Sequence, residues 1–201
     1  MTKQIINVKL NLNIELIIAV SAVVISIASF YATYLQAEAA NKQVKAMTLP
    51  LITFTHGNYD VEREVAHISL QFDNVGVGPA KIYTVNFKYN GQPYANIMDI
   101  FRECCSAEYR AYHETLKKDV DSGIAALELT TPYQNVIVPA QDSLDFYQIS
   151  KHDINDDFWM KLNNVRWDIV PEVCYCSLLD ECFITQATEH ATTQTVENCD
   201  I

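Results

Sequence analysis

The residues of this chain whose type and spacing suit chemistry are its six cysteines: Cys104, Cys105, Cys174, Cys176, Cys182 and Cys199. Three chemistries compete for them. Structural zinc sites draw ligands from C-x₂₋₄-C knuckles, and Cys174-x-Cys176 is short for that, although residues i and i+2 of a strand do share a face. A redox pair wants C-x-x-C at a helix start, and that spacing does not occur. Disulfides fit the even count and demand an oxidising compartment. All six cysteines are therefore disulfide candidates, with the pairing left open among many combinations. Bonds from Cys104 or Cys105, and from Cys199, to the Cys174–Cys182 region would fasten segments that lack strand pairing of their own. A Cys105–Cys174 bond would close a loop of about 70 residues, worth roughly 4 kcal/mol in the chain-entropy model. A vicinal Cys104–Cys105 bond ranks lower because its geometry is strained.

The other reactive groups form no constellation. His56, His67, His113, His152 and His190 are scattered, with no H-x-x-x-H or HExxH spacing. There is no G-x-S-x-G elbow, no phosphate loop and no calcium-loop pattern. The acidic pairs Asp119/Asp121, Asp156/Asp157 and Asp180/Glu181 read as solvated faces or turns. Trp159 and Trp167 read as core or interface residues. The expectation is therefore no catalytic residue, no cofactor and no metal, and a protein that is not an enzyme.

These cysteines must be placed by a chain of 201 residues, 49% of them apolar. That is room for one domain with its own core plus an appendage. The formal net charge is −11, so phosphate backbones would repel the chain and nucleic acid is excluded as a partner.

The appendage comes first. Residues 1–15 form a short N-terminal segment, and Leu16–Ala37 then runs 22 residues without a charge. About 20 apolar residues suffice to cross a hydrocarbon core as a helix, so 16–37 is expected to be a transmembrane helix with the lipid bilayer as its partner. The run exceeds a signal-peptide core, which favours an uncleaved anchor. Tyr31 and Tyr34 suit a headgroup layer. Ala22, Ser26 and Ser29 give a small-residue face on which another helix could pack. Residues 38–49, rich in Ala, Gln and Lys, continue as a helical stalk until Pro50. Lys3 and Lys9 on one side balance Lys42 and Lys45 on the other, so the positive-inside rule ties. The cysteines break the tie. Residues 1–15 are assigned to the cytoplasm and the domain to the periplasm, in a single-pass inner-membrane protein.

From Pro50 the period changes. LITFTH (51–56), AHISLQF (66–72), KIYTVNFKY (81–89), QNVIVP (134–139) and DSLDFYQI (142–149) alternate as strands, and two more are expected within 165–175 and 182–185. Asn90-Gly91 marks a hairpin. Residues 96–118 carry apolar side chains at helical spacing and predict a helical insertion, whereas 151–160 looks like a loop or one helical turn. The expected fold is mainly β: an antiparallel immunoglobulin-like β-sandwich over 50–185, a short helical insertion within it, and an irregular tail over 186–201.

Asn74-Val75-Gly76-Val77-Gly78-Pro79-Ala80 between two strands, the pair Cys104-Cys105, and Cys174-Tyr-Cys176-Ser177 followed by Asp180-Glu181-Cys182 carry a resemblance. The chain resembles bacterial single-pass inner-membrane proteins with a periplasmic immunoglobulin-like β-sandwich. Such proteins often place Gly where this chain has Gln141, a departure from the pattern. The resemblance implies fold and location and supplies no catalytic residues. The function expected is a membrane-anchored periplasmic binding or accessory module whose partner is another protein. The alternatives are a subunit of a membrane complex assembled through the anchor helix, and an enzyme whose site the sequence does not reveal.

Overall fold

A computed structural model describes residues 2–118, 128–186 and 192–199, with side chains from Ile14 onward. The acidic pair Asp119/Asp121, His190 and tail residues 187–191 lie outside the described residues. The chain forms two compact units, Met1–Ala46 and Met47–Ile201.

The first unit is helix α1, Thr2–Met47. Its Ile14–Met47 portion is long and apolar enough to cross a membrane. At 1.5 Å per residue the uncharged run alone spans about 33 Å. Within that run the hydroxyls of Ser21, Ser26 and Thr33 donate to the carbonyls of Ile17, Ala22 and Ser29 at 2.6, 2.8 and 2.9 Å. The helix thus satisfies these three hydroxyls from its own backbone, as a lipid environment requires. The predicted stalk is the unbroken continuation of the same helix, with a Lys42–Glu38 ion pair at 2.7 Å.

The described residues of the second unit hold ten strands in two antiparallel sheets. The first sheet has the order β1 (Ile52–Asp60), β2 (Val65–Asn74), β7 (Ser143–Ser150), β5 (Glu128–Thr130). The second runs β10 (Thr192–Val196), β9 (Cys182–Gln186), β8 (Val170–Ser177), β3 (Ala80–Tyr89), β4 (Gln92–Tyr94), and β6 (Val136–Val138) also pairs with β3. Both sheets bury side chains in one core, where Phe146 of the first lies 4.7 Å from Phe72 and 5.8 Å from Phe87 of the second, ring centre to ring centre. Strict alternation along 81–89 would set Ile82 against Val85 and Phe87. A register shift between Ile82 and Thr84 moves all three to the core side instead.

Asn90 and Gly91 both take positive φ, 50° and 76°, and join β3 to β4 as the sequence signal requires. Gln141 also sits at positive φ, 55°. That conformation favours glycine.

Asn74 ties three segments together. Its Oδ1 accepts from the backbone N–H of Leu51 and of Gly76, both at 3.1 Å. Its Nδ2 donates to the Gly78 carbonyl at 2.8 Å and shares its second hydrogen between the carbonyls of Pro139 and Val138 at 3.0 and 3.2 Å. The two glycines that follow lie against the backbone of Thr48–Leu51. A Cβ on Gly76 would fall 2.4 Å from the Leu51 nitrogen, and one on Gly78 2.0 Å from the Thr48 oxygen. The N-x-G-x-G sequence is therefore a clamp on the first residues of the domain, and the glycines permit backbone contact.

Three expectations need correction. The chain is not mainly β, because helix occupies slightly more of it than strand once the 46 residues of α1 are counted. Residues 151–155 are a turn, as expected, but 156–168 is neither a loop nor the start of a strand. Helix α4 (Asp156–Val165) and a 3₁₀ turn (Arg166–Asp168) fill it, with Phe158, Trp159 and Leu162 buried at helical spacing. The aspartates read there as a solvated pair stand in its first turn, where negative charge favours the helix dipole. Nor is the tail wholly irregular: β10 pairs with β9 from Thr192↔Gln186 to Val196↔Cys182. Its polar, Thr-rich sequence lacks the apolar alternation of a half-buried strand because its side chains are largely exposed.

The helical insertion is two helices, α2 (Ile97–Cys104) and α3 (Ser106–Lys118). Asn96 caps α2, accepting from the Met98 N–H at 2.9 Å. Ile97, Ile100 and Phe101 of α2 and Tyr112 of α3 enter the main core. Trp159 is buried and donates its indole N–H to the Ile149 carbonyl at 3.3 Å. Trp167 is 64% exposed, with the Arg166 guanidinium 4.5 Å above its ring centre.

Candidate functional site: a four-cysteine patch and a buried carboxyl

Strand β8 alternates with the sheet. Val173 and Tyr175 face the main core, while Cys174 and Cys176 face outward. Cys176 stands opposite Cys182 on β9. The hairpin between them is shaped by Ser177, whose Oγ accepts from the N–H groups of Leu179 and Glu181, both at 3.2 Å, and by Asp180 at φ 57°. The chain after β10 then brings Cys199 over the same face. Cys174 bonds Cys199 and Cys176 bonds Cys182. The two disulfides touch, with Cys176 Sγ 3.7 Å from Cys199 Sγ. All four cysteines are buried, in a second apolar cluster with Tyr83, Ile184 and Val196. The turn, same-face and disulfide expectations for Cys174, Cys176, Cys182 and Cys199 agree with this arrangement.

Cys104 and Cys105 behave otherwise. They bond each other, with Cα atoms 3.8 Å apart, so the vicinal pairing ranked lower is the one formed. The expected bond from the insertion to the final strands is absent for a geometric reason. Cys105 is fully buried in the main core, whereas Cys174 and Cys176 lie on the far face of the second sheet. A sheet stands between them. Only the tail is fastened to the final strands.

A second grouping was not legible in the sequence. Glu128, at the start of edge strand β5, has a side chain only 10% exposed, and His113 Nε2 of α3 lies 3.6 Å from its Oε2. The two are neighbours because β5 pairs with β7 beside the insertion. No local spacing announces a contact between residues fifteen apart in sequence. Burial pushes the Glu128 carboxyl above the ordinary carboxylate range, and the adjacent Tyr147 hydroxyl acts in the opposite direction. Burial, helped by Lys117 and Arg102, pushes the His113 imidazole down. On the outer side of His113 is a cleft of about 320 Å³ lined by Arg102, Ser106, Tyr109, Arg110 and His113. Both shifts favour the neutral forms of the carboxyl and the imidazole, which makes the contact between α3 and β5 sensitive to pH.

The sign of that sensitivity follows from the raised Glu128 pKa. The unfolded carboxyl ionises first as pH rises, so the folded state loses stability from near the ordinary carboxylate pKa up through the folded one. Glu128→Gln is expected to raise the melting temperature at neutral pH, with the gain shrinking toward acid. Melting curves at several pH values check this, and a lowered melting temperature at neutral pH would contradict it.

Among the described residues, His56, His67 and His152 do not join either site. His67 Nδ1 lies 3.0 Å from Ser150 Oγ across β2–β7, and burial lowers its pKa. His56 packs against the Arg166 guanidinium and stands edge-on to Trp167. Comparison of the chain with protein-family models, with curated proteins and with solved structures found no match.

Proposed function

We propose that this chain is a membrane-anchored periplasmic binding or accessory module without catalytic activity, and that its partner is another protein. The observation that carries the reading is the joining of two features in one chain. A helix long and apolar enough to span a membrane is followed by a domain whose six cysteines are all engaged in disulfides. Disulfides of this density belong to an oxidising compartment, which for a bacterial inner-membrane protein is the periplasm.

The domain is immunoglobulin-like in this reading. The order β1-β2-β7-β5 follows the A-B-E-D sheet, and β4-β3-β8-β9 follows C′-C-F-G. The helices α2 and α3 lie between the C′ and D positions, and β6 and β10 are additions. Such sandwiches offer edge strands and end loops to partners, and the fold does not name the partner.

The test is topological. A reporter active only in the periplasm, fused after Ile201, should be active, and a cytoplasm-dependent reporter at the same site silent. The reverse pattern would overturn the location and remove the compartment on which the disulfide argument rests.

A further inference from the structure

The two outer-face disulfides make one site of four sulfurs. Sγ atoms of Cys176, Cys182 and Cys199 lie within 4.8 Å of one another, and Cys174 is bonded to Cys199. A tetrahedral zinc–thiolate site has Zn–S bonds of about 2.3 Å, which sets its sulfurs about 3.8 Å apart. The contact between Cys176 and Cys199 is 3.7 Å, already the edge of such a tetrahedron. We infer that in the reduced chain Cys174, Cys176, Cys182 and Cys199 form a four-thiolate site for one zinc-class divalent cation, interchangeable with the two disulfides.

Three features of the patch suit this. The ligands come from three separate places, the β8 strand, the β9 end of the hairpin and the tail, so a central ion would hold the tail to the sheet as the disulfides do. The four cysteines are 2–6% exposed, as in a closed structural site with no open position for substrate. Charge is partly met as well. Four thiolates around a divalent cation leave two negative charges, and Lys81, opposite Cys176 in register, holds its ammonium 4.4 Å above the Tyr83 ring beside the cluster.

The interconversion balances as follows. A dithiol reductant gives two electrons and two protons to each disulfide and leaves as its own cyclic disulfide. The four thiols then bind the cation with release of four protons. Oxidation by a disulfide donor reverses this and expels the metal. The inference is independent of the topology proposed above. Compartment decides which state is populated, and a reversed reporter result would leave the site intact.

The full chain in detergent, reduced anaerobically with a phosphine, is titrated with Co²⁺ and then Zn²⁺. One Co²⁺ per chain with the absorption of tetrahedral thiolate coordination is expected, displaced by an equal amount of Zn²⁺. Cys199→Ser should weaken binding by roughly 100-fold, and Cys104→Ser/Cys105→Ser should leave it unchanged. Failure to take up metal, uptake unaffected by Cys199→Ser, equal affinity in concentrated urea, or equal uptake by the oxidised chain would each overturn the proposal. The urea arm keeps the test decisive for a variant that folds poorly, because it measures what an unfolded chain binds.

Discussion

Asn74→Ala is expected to destabilise the β domain by on the order of 3–5 kcal/mol, from the loss of several buried hydrogen bonds at once. Asn74 is 1% exposed. Its amide serves two backbone N–H groups and three carbonyls drawn from the domain entry, the β2–β3 loop and the β6–β7 turn. Alanine leaves all five without that partner in a place water enters poorly. Gly78→Ala attacks the same clamp from the other side. Its Cβ would meet the Thr48 carbonyl at 2.0 Å, and that neighbour is backbone with no rotamer to yield. Overpacking of this kind typically costs about 1–3 kcal/mol and more where the backbone must move. Urea unfolding followed by tryptophan fluorescence reads both, since Trp159 is buried in the core that the clamp closes. A midpoint for Asn74→Ala within experimental error of the parent would show that the clamp is not a stability determinant.

The second large effect is expected at Cys174–Cys199. The bond spans a sequence separation of 25. Closing a loop of that size is worth about 3.5 kcal/mol in the chain-entropy model. Cys174→Ser/Cys199→Ser in the oxidised protein should lose roughly that amount. It should also loosen β10, whose pairing to β9 rests on five short register positions and mostly exposed side chains. Hydrogen exchange across 192–196 should accelerate before global unfolding does. The contrast is Cys104→Ser/Cys105→Ser. A bond between adjacent residues closes almost no loop, so the same model gives it little unfolded-state effect. Equal losses from the two double variants would contradict this account.

The local elements were legible because their signals are local. An uncharged run of membrane length, a proline after a polar stalk, alternation in β1, β2, β3 and β7, and Asn90-Gly91 each state their conformation within a few residues. The turn at Ser177–Glu181 and the common face of Cys174 and Cys176 follow from the same short-range rules. Helix α4 is hidden in the sequence because its charged first turn resembles a loop, and the helical spacing of Phe158, Trp159 and Leu162 shows only against the core. Strand β10 leaves no alternating pattern in the sequence because an exposed strand added at an edge buries too little.

The sites belong to the other kind of information. Six cysteines in sequence carry no record of which side of a sheet each will face. The register of β3 with β8 places Cys174 and Cys176 outside and Tyr175 inside, and the core position of Cys105 then forbids the bond that loop length alone favoured. Glu128 meets His113 only because an edge strand of three residues docks on β7. Sequence alone determined the anchor, the strand periods and the cysteine count, since these depend on neighbours a few residues apart. Tertiary structure decided the disulfide partners, the four-sulfur patch and the buried carboxyl, since pairing register and burial are set by residues tens of positions away.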